Sequence, residues 1–580
     1  MNTDAVRARA TATVAVGVVA FCVAALALWL VHDLTRARYR LSAPAAIAAA
    51  RAYPPDGAFL ASHRASGARV IPLDGELQRV TFFDGAQDVL DAAVGPHGEV
   101  RATEMHRAGV PASGSALANS PWLLALLSGV FLLATLALPL RSARNLDALV
   151  LASMTATVPL INARLVAASV ALSWAALLYL IVRCAHVGLR EPTAAAPPTP
   201  LLAWSCARWD ARRFTRLLAV LLLATTVAFA LVTLSSSGYT DVAVASLQGA
   251  TELLHGTLPY GHVSLALHGD TYPLLNYLLY VPGALWHPVA NVFADMDGSL
   301  ATALAASLLA GLALYRIGGT SAGAGLGGER PRDRRLRAAL AWFAFPPVLL
   351  AASGGANDLL LAASLAWALA LYTRAGASLL ALVAGAWIKL VPLVLLAIWL
   401  PARRAGGARA FLGAGALSVA LLALLLALGG GDAPVAMLRA MSFQFQRGSF
   451  YAPWYTFSLL WLQPLAQAGV LTLALLAALR VRADHALRAD PVRMAALAGA
   501  LLLGVQACAN YWTWSYLPWA LPFLILALFL GDARPRTATR GAQPSGRGRK
   551  HSPSAAERAL KPRADRTAHR RRSPVTTQAG

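Results

Sequence analysis

The chain has 580 residues, 57% of them hydrophobic and only 13% charged, with a mean hydropathy of +0.56. That balance excludes a soluble enzyme and indicates an all-α polytopic membrane protein, whose spans each need about 20 apolar residues to cross a core about 30 Å thick. The net charge of +23, set beside so much apolar surface, points to anionic lipid head groups rather than nucleic acid as its partner.

Apolar windows at 11–31, 122–140, 147–161, 165–182, 217–234, 298–315, 338–352, 357–373, 376–400, 410–429, 456–479, 494–509 and 515–530 predict about 11–14 transmembrane helices. The first, with Arg7 and Arg9 ahead of it and no small-residue cleavage site, reads as a retained anchor over 1–31. Residues 32–120 are polar enough to form a small soluble α+β module, punctuated by turns at Pro55-Asp56-Gly57, Asp74-Gly75, Asp84-Gly85 and Gly95-Pro96-His97-Gly98. Within it, the alternation of Leu77 to Phe83 predicts a strand, and Gln87 to Val94 reads as a short helix. Arg36, Arg38 and Arg40 argue against export of this module, whereas helix parity argues for it and places it outside. Residues 121–215 add further transmembrane helices and a cytoplasmic loop, and 216–530 form the main membrane domain. Cys22, Cys184, Cys206 and Cys508 have no paired spacing and suggest neither disulfides nor a zinc site.

Orientation follows the arginines. Six lie in 183–216, six in 316–337, three in 403–409 and four in 480–493, which assigns these loops to the cytoplasm. The tail 531–580, with thirteen Lys and Arg against three acids, reads as disordered, cytoplasmic and attracted to lipid head groups. Ser235 to Gly298, by contrast, contains no Lys or Arg and faces the other side. The helices ending at Leu234 and Tyr315 must run in opposite directions, so no complete span fits between them. The Pro-interrupted piece Tyr272 to Trp286 is therefore predicted to be interfacial or re-entrant, part of a folded roof. The same parity splits Leu379 to Leu400 into two half-helices bent near Lys389-Leu390-Val391-Pro392, and leaves Trp512 to Trp519 as a small outer turn.

Asp241 lies just beyond the apolar run ending at Leu234. A carboxylate at that boundary either accepts a proton from an incoming hydroxyl or caps the helix that follows. Arg439 and Arg447 are the two arginines of the 429–454 loop, suited to phosphate oxygens or to lipid head groups. Lys389 sits within an apolar run, where it either snorkels or needs a partner such as a donor phosphate. Asp295-Met296-Asp297 spells a D-x-D pattern directly before a span, where capping explains it; His255, His262 and His268 are not spaced as a ligand set, so no metal is invoked. Trp454, Tyr455, Trp461, Trp512, Trp514 and Trp519 cluster near the outer boundary, as an aromatic belt does.

Tyr239-Thr240-Asp241, Gly256-Thr257-Leu258-Pro259-Tyr260, Tyr272-Pro273-Leu274, Gly354-Gly355-Ala356-Asn357-Asp358, Trp387 to Pro392, and Gln446-Arg447-Gly448-Ser449 with Pro453-Trp454 occur in that order. Over about 216–530 this resembles the bacterial polyprenol-phosphate-mannose-dependent mannosyltransferases of the GT-C superfamily of integral-membrane glycosyltransferases. The resemblance implies a GT-C-like bundle in the bacterial plasma membrane. It implies inverting transfer of a hexose, mannose first, from a polyprenyl-phosphate sugar to a glycolipid or polysaccharide acceptor on the outer face, without a further cofactor. Asp241 is then the general base, and Arg447, Lys389, Tyr260, Tyr272, Asn357 and Trp454 are substrate-binding candidates. Ala356 departs from the Gln more often found there, and the family's core does not account for residues 1–200. A transporter or flippase for lipid-linked sugars is the alternative; it would carry internal repeats, and none is visible in the sequence.

Overall fold

Several apolar runs become single long helices, and others are cut or bent, some of them at Pro. In the computed structural model, which describes residues 17–28, 41–73, 76–84, 87–105, 114–190, 199–202, 210–264, 269–289, 296–319, 329–402 and 407–530, six helices are long and apolar enough to cross a membrane. They are Val166–Leu189, Ala211–Leu234, Asp297–Ile317, Phe411–Gly429, Leu460–Ala483 and Pro491–Cys508. A seventh span counts Pro331–Phe343 and Pro346–Ser353 together, bent by 54° where Pro346 and Pro347 can donate no backbone N–H. The chain is a mostly helical polytopic membrane protein, with six or seven spans of sufficient length among the described residues in place of the predicted 11–14. Hydropathy counts apolar residues but not the breaks between them, so the remaining windows form shorter helices such as Pro121–Thr135 and Asp358–Ala370. Expectations resting on Arg7, Arg9, Arg36, Arg38, Arg40, Asp74-Gly75, Cys206, His268, Asp295, Arg403, Arg404 and the 531–580 tail fall outside the described residues.

Burial separates lipid-facing helices from central ones. Val220, Leu223, Val227 and Leu231 form an exposed stripe on Ala211–Leu234, whereas Pro491–Cys508 buries nearly every side chain. The predicted break at Lys389 to Pro392 is present, with helix Ala375–Ala386 before it and Leu393–Ala402 after it. Trp514–Tyr516 is a single 3-10 turn ahead of the final helix. Among the described residues between the spans ending at Leu234 and beginning at Asp297 the helices are Asp241–Leu254 and Leu274–Trp286, which pack on each other. Their 14 and 13 residues reach only about 20 Å. Leu274–Trp286 crosses the next span at Gly283 and Gly298, where a Cβ on either glycine would come within 2.4 Å of the other's carbonyl oxygen.

Ahead of the spans, β1 (Gly67–Pro72), β2 (Gln78–Asp84), β3 (Gln87–Val94) and β4 (Val100–Met105) form one antiparallel sheet in sequential order. The predicted strand at Leu77 to Phe83 is β2. The predicted helix at Gln87 to Val94 is instead β3: Leu90, Ala92 and Val94 alternate inward with Val80 and Phe82 against Ala46 and Ala50 of helix Ala43–Ala52. Period-2 burial and ladders on both sides outweigh the local helix signal. The opposite face carries Arg69 bonded to Asp88 at 2.5 Å, Thr81 bonded to Asp91, and Arg79.

Asp56 opens helix Pro54–Ser62 and is fully buried. Burial pushes its carboxyl up to about 6, against the lowering pull of the Thr103 side chain. Because the folded value lies above the ordinary one, the stability linked to its protonated form is complete below about pH 4 and is lost as pH rises through about 6. Asp56→Asn is expected to slow hydrogen exchange of β4 at pH 7.5 three- to tenfold on the order of magnitude, after correction for intrinsic rates. It should also flatten the dependence between pH 4 and 7; a variant that keeps the wild-type slope contradicts this account.

Candidate functional site

Thr240 caps helix Asp241–Leu254: its hydroxyl accepts the Ala243 N–H at 3.2 Å and donates to the Gly354 carbonyl at 3.0 Å, and its own N–H donates to the same carbonyl at 3.0 Å. Capping therefore falls to Thr240. Asp241, the first residue of the helix, stays exposed, with one carboxylate oxygen accepting the Val242 N–H at 2.9 Å. Its seat at a helix N-terminus suits a negative charge.

The Gly354 carbonyl that anchors Thr240 belongs to another of the motifs read from sequence. Gly355 has φ +68°, and a Cβ there would meet Ser299 Oγ at 2.6 Å and Ala243 Cβ at 2.9 Å. Only glycine allows this turn and this closeness. The Tyr280 hydroxyl donates to the Gly355 carbonyl at 3.0 Å. Asn357 is fully buried; its amide donates to Asn276 Oδ1 at 2.8 Å, and the Asn276 amide donates to Ser246 Oγ at 3.1 Å. Asn357 thus ties three helices together behind Asp241 and presents nothing to solvent.

Lys389 follows the C-terminus of Ala375–Ala386, while Asp358 begins helix Asp358–Ala370, so each charge faces the helix end that favours it. Lys389 Nζ lies 2.5 Å from Asp358 Oδ1, with both side chains buried. Trp519 Nε1 donates to the same oxygen at 2.9 Å, and Ser515 Oγ donates to Oδ2 at 3.2 Å. The ammonium also lies 5.4 Å from the Tyr272 ring centroid and 5.3 Å from those of Tyr516 and Trp519. Its partner is a protein carboxylate within a cage of aromatic rings.

Arg447 follows helix Ala433–Gln446, and its guanidinium lies 3.7 Å from the Tyr511 ring centroid and 5.6 Å from that of Phe443. Its Nε is buried without a hydrogen-bond partner. The segment is pinned from two sides: the Gly448 N–H donates to the Pro72 carbonyl of β1 at 2.9 Å, and Gln444 Nε2 donates to Thr271 Oγ1 at 2.7 Å. Arg69 of β1 stacks on Phe450, 3.8 Å from its centroid. Asp241 and Arg447 both lie within electrostatic reach of Lys389 and of Tyr272.

The structure therefore brings together Asp241, Arg447, Lys389 and Tyr272. Tyr260 stands one step back, its hydroxyl donating to the Tyr272 carbonyl at 3.2 Å. Trp454 is buried and donates to the Ala509 carbonyl at 3.1 Å, bracing the loop after Arg447. Arg439 is exposed on its helix, and Asp297 opens the span Asp297–Ile317. Sequence reasoning missed Asp358, Tyr511 and Tyr516 as parts of this cluster. Asp358 was findable: it is the only charged residue in the 357–373 window, and the lone Lys389 nearby needs an acid. Nothing in the spacing of the tyrosines announces them.

No family model, no curated protein and no solved structure matches the chain.

Proposed function

We propose that the chain is a glycosyltransferase that moves a hexose, mannose first, from a polyprenyl phosphate to a cell-envelope glycolipid or polysaccharide. The observation that carries this reading is the exposed Asp241 carboxylate within electrostatic reach of two cations, Lys389 and Arg447, the second of which forms no ion pair with a described carboxylate. In this mechanism Asp241 accepts the proton of the acceptor hydroxyl as its oxygen attacks the anomeric carbon. The bond from that carbon to the phosphate oxygen breaks, and polyprenyl phosphate leaves with the bonding electrons while Arg447 faces its developing charge. Attack opposite the leaving group inverts the anomeric centre.

An outer-face site is supported by the charge at the two ends of the helices. Val166–Leu189, Asp297–Ile317 and Pro491–Cys508 carry Arg183, Arg316 and Arg493 at one end, and open at the other towards the segments that hold the cluster. The arginine ends suit the cytoplasm. In lipid nanodiscs the full chain is expected to form a new glycosidic bond from radiolabelled polyprenyl-phosphate mannose onto an envelope glycolipid extract, and none from a nucleotide sugar alone. Failure with every polyprenyl-phosphate hexose, or equal use of the nucleotide sugar, overturns the proposal.

A further inference from the structure

The face of the N-terminal sheet turned away from its own core lies against the loop that carries Arg447, through Pro72 with Gly448 and Arg69 with Phe450. At this junction Tyr451 and Tyr511 meet edge-on with ring centroids 6.4 Å apart, and Arg447 stacks on Tyr511. Two further arginines lie on the segments that meet there. Arg79 is half-buried on the docked face of β2, and Arg164 precedes helix Val166–Leu189, which packs against Pro453–Thr456 just past Tyr451; both act electrostatically on Tyr451. Arg164 lies in the turn before Val166–Leu189 with a left-handed backbone, φ 62°, and is only 8% exposed. Its Nε, like that of Arg447, is buried without a hydrogen-bond partner.

No described carboxylate forms an ion pair with Arg79, Arg164 or Arg447. On the sheet, Asp91 is engaged by Thr81 and Asp88 by Arg69. Elsewhere buried Arg337 pairs with Glu329 at 2.8 Å and half-buried Arg183 with Asp147 at 3.0 Å, while buried Arg144 and Arg334 donate to backbone carbonyls. A buried guanidinium nitrogen left without a partner is costly, and guanidinium forks supplied by separate segments suit a tetrahedral oxyanion better than a planar carboxylate.

We propose that Arg79, Arg164 and Arg447, from three separate segments, together bind the phosphate group of a lipid-linked ligand, with the N-terminal sheet forming one wall of that site. The sheet is then part of the binding machinery. Naming the ligand as the sugar donor rests on the transferase reading; the phosphate itself does not.

The test measures binding to the full chain in nanodiscs, with polyprenyl phosphate, the corresponding polyprenol and inorganic phosphate as probes. Arg79→Gln and Arg164→Asn, the latter chosen because Asn tolerates a left-handed backbone, are each expected to weaken polyprenyl phosphate about tenfold or more and to leave polyprenol unchanged. Competition by inorganic phosphate shows that the head group suffices; competition by the lipid phosphate alone assigns the site to the membrane-borne group. Unchanged affinity in both variants, or an equal loss for polyprenol, overturns the proposal. Should Arg164→Asn fail to fold, Arg79→Gln on its half-buried strand position decides alone. If both variants bind phosphate normally while sugar transfer is intact, this inference falls and the transferase reading stands. If binding depends on these arginines but no hexose is ever transferred, the reverse holds.

Discussion

Asp241→Asn is expected to lower hexose transfer from polyprenyl phosphate by at least about 10²-fold, the usual contribution of a positioned general base, while donor binding stays within about threefold. Asn has the shape of Asp and can still accept the Val242 N–H at the helix start. It cannot take the acceptor's proton. Because the cap is Thr240, anchored on Gly354, the substitution removes no fold-bearing contact beyond a charge at a helix N-terminus. Initial rates in nanodiscs, with binding of polyprenyl phosphate measured on the same preparation, separate chemistry from affinity. A variant that binds donor and transfers at the wild-type rate removes Asp241 from the mechanism and with it the main support for a transferase.

What could be read from sequence was whatever breaks a pattern. The half-helices on either side of Lys389 were legible because a charge and Pro392 interrupt an apolar run, and the short helices between 235 and 298 were legible because the arginines predict opposite directions for the spans around them. What was hidden is the outcome of packing. β3 looked helical over Gln87 to Val94 until its neighbours were in place. Asn357, a substrate-binding candidate, donates its amide to Asn276 and keeps its Oδ1 buried without a partner, an arrangement no spacing announces. The meeting of the sheet with Gly448 and Phe450 joins residues nearly four hundred positions apart, and no local periodicity encodes such a contact.

Breaking the Lys389–Asp358 pair should be the most damaging substitution to stability near the site, and its two halves should not be equivalent. Asp358→Ala leaves a buried ammonium among three aromatic rings and strands the Trp519 N–H and the Ser515 hydroxyl, so a loss of about 3–5 kcal/mol is expected. Lys389→Met removes one donor, but Asp358 keeps Trp519, Ser515 and the start of its helix, so a smaller loss follows. In Asp358→Ala with Lys389→Met no charge is stranded. That double variant should be more stable than Asp358→Ala alone, with a coupling of about 1–3 kcal/mol. Hydrogen exchange across 358–402 in nanodiscs measures all three on one scale. Additive losses would mean that the two charges are held by their separate surroundings. The expected coupling would make the pair the fixed point from which the half-helix break, and with it the Lys389 face of the site, is positioned.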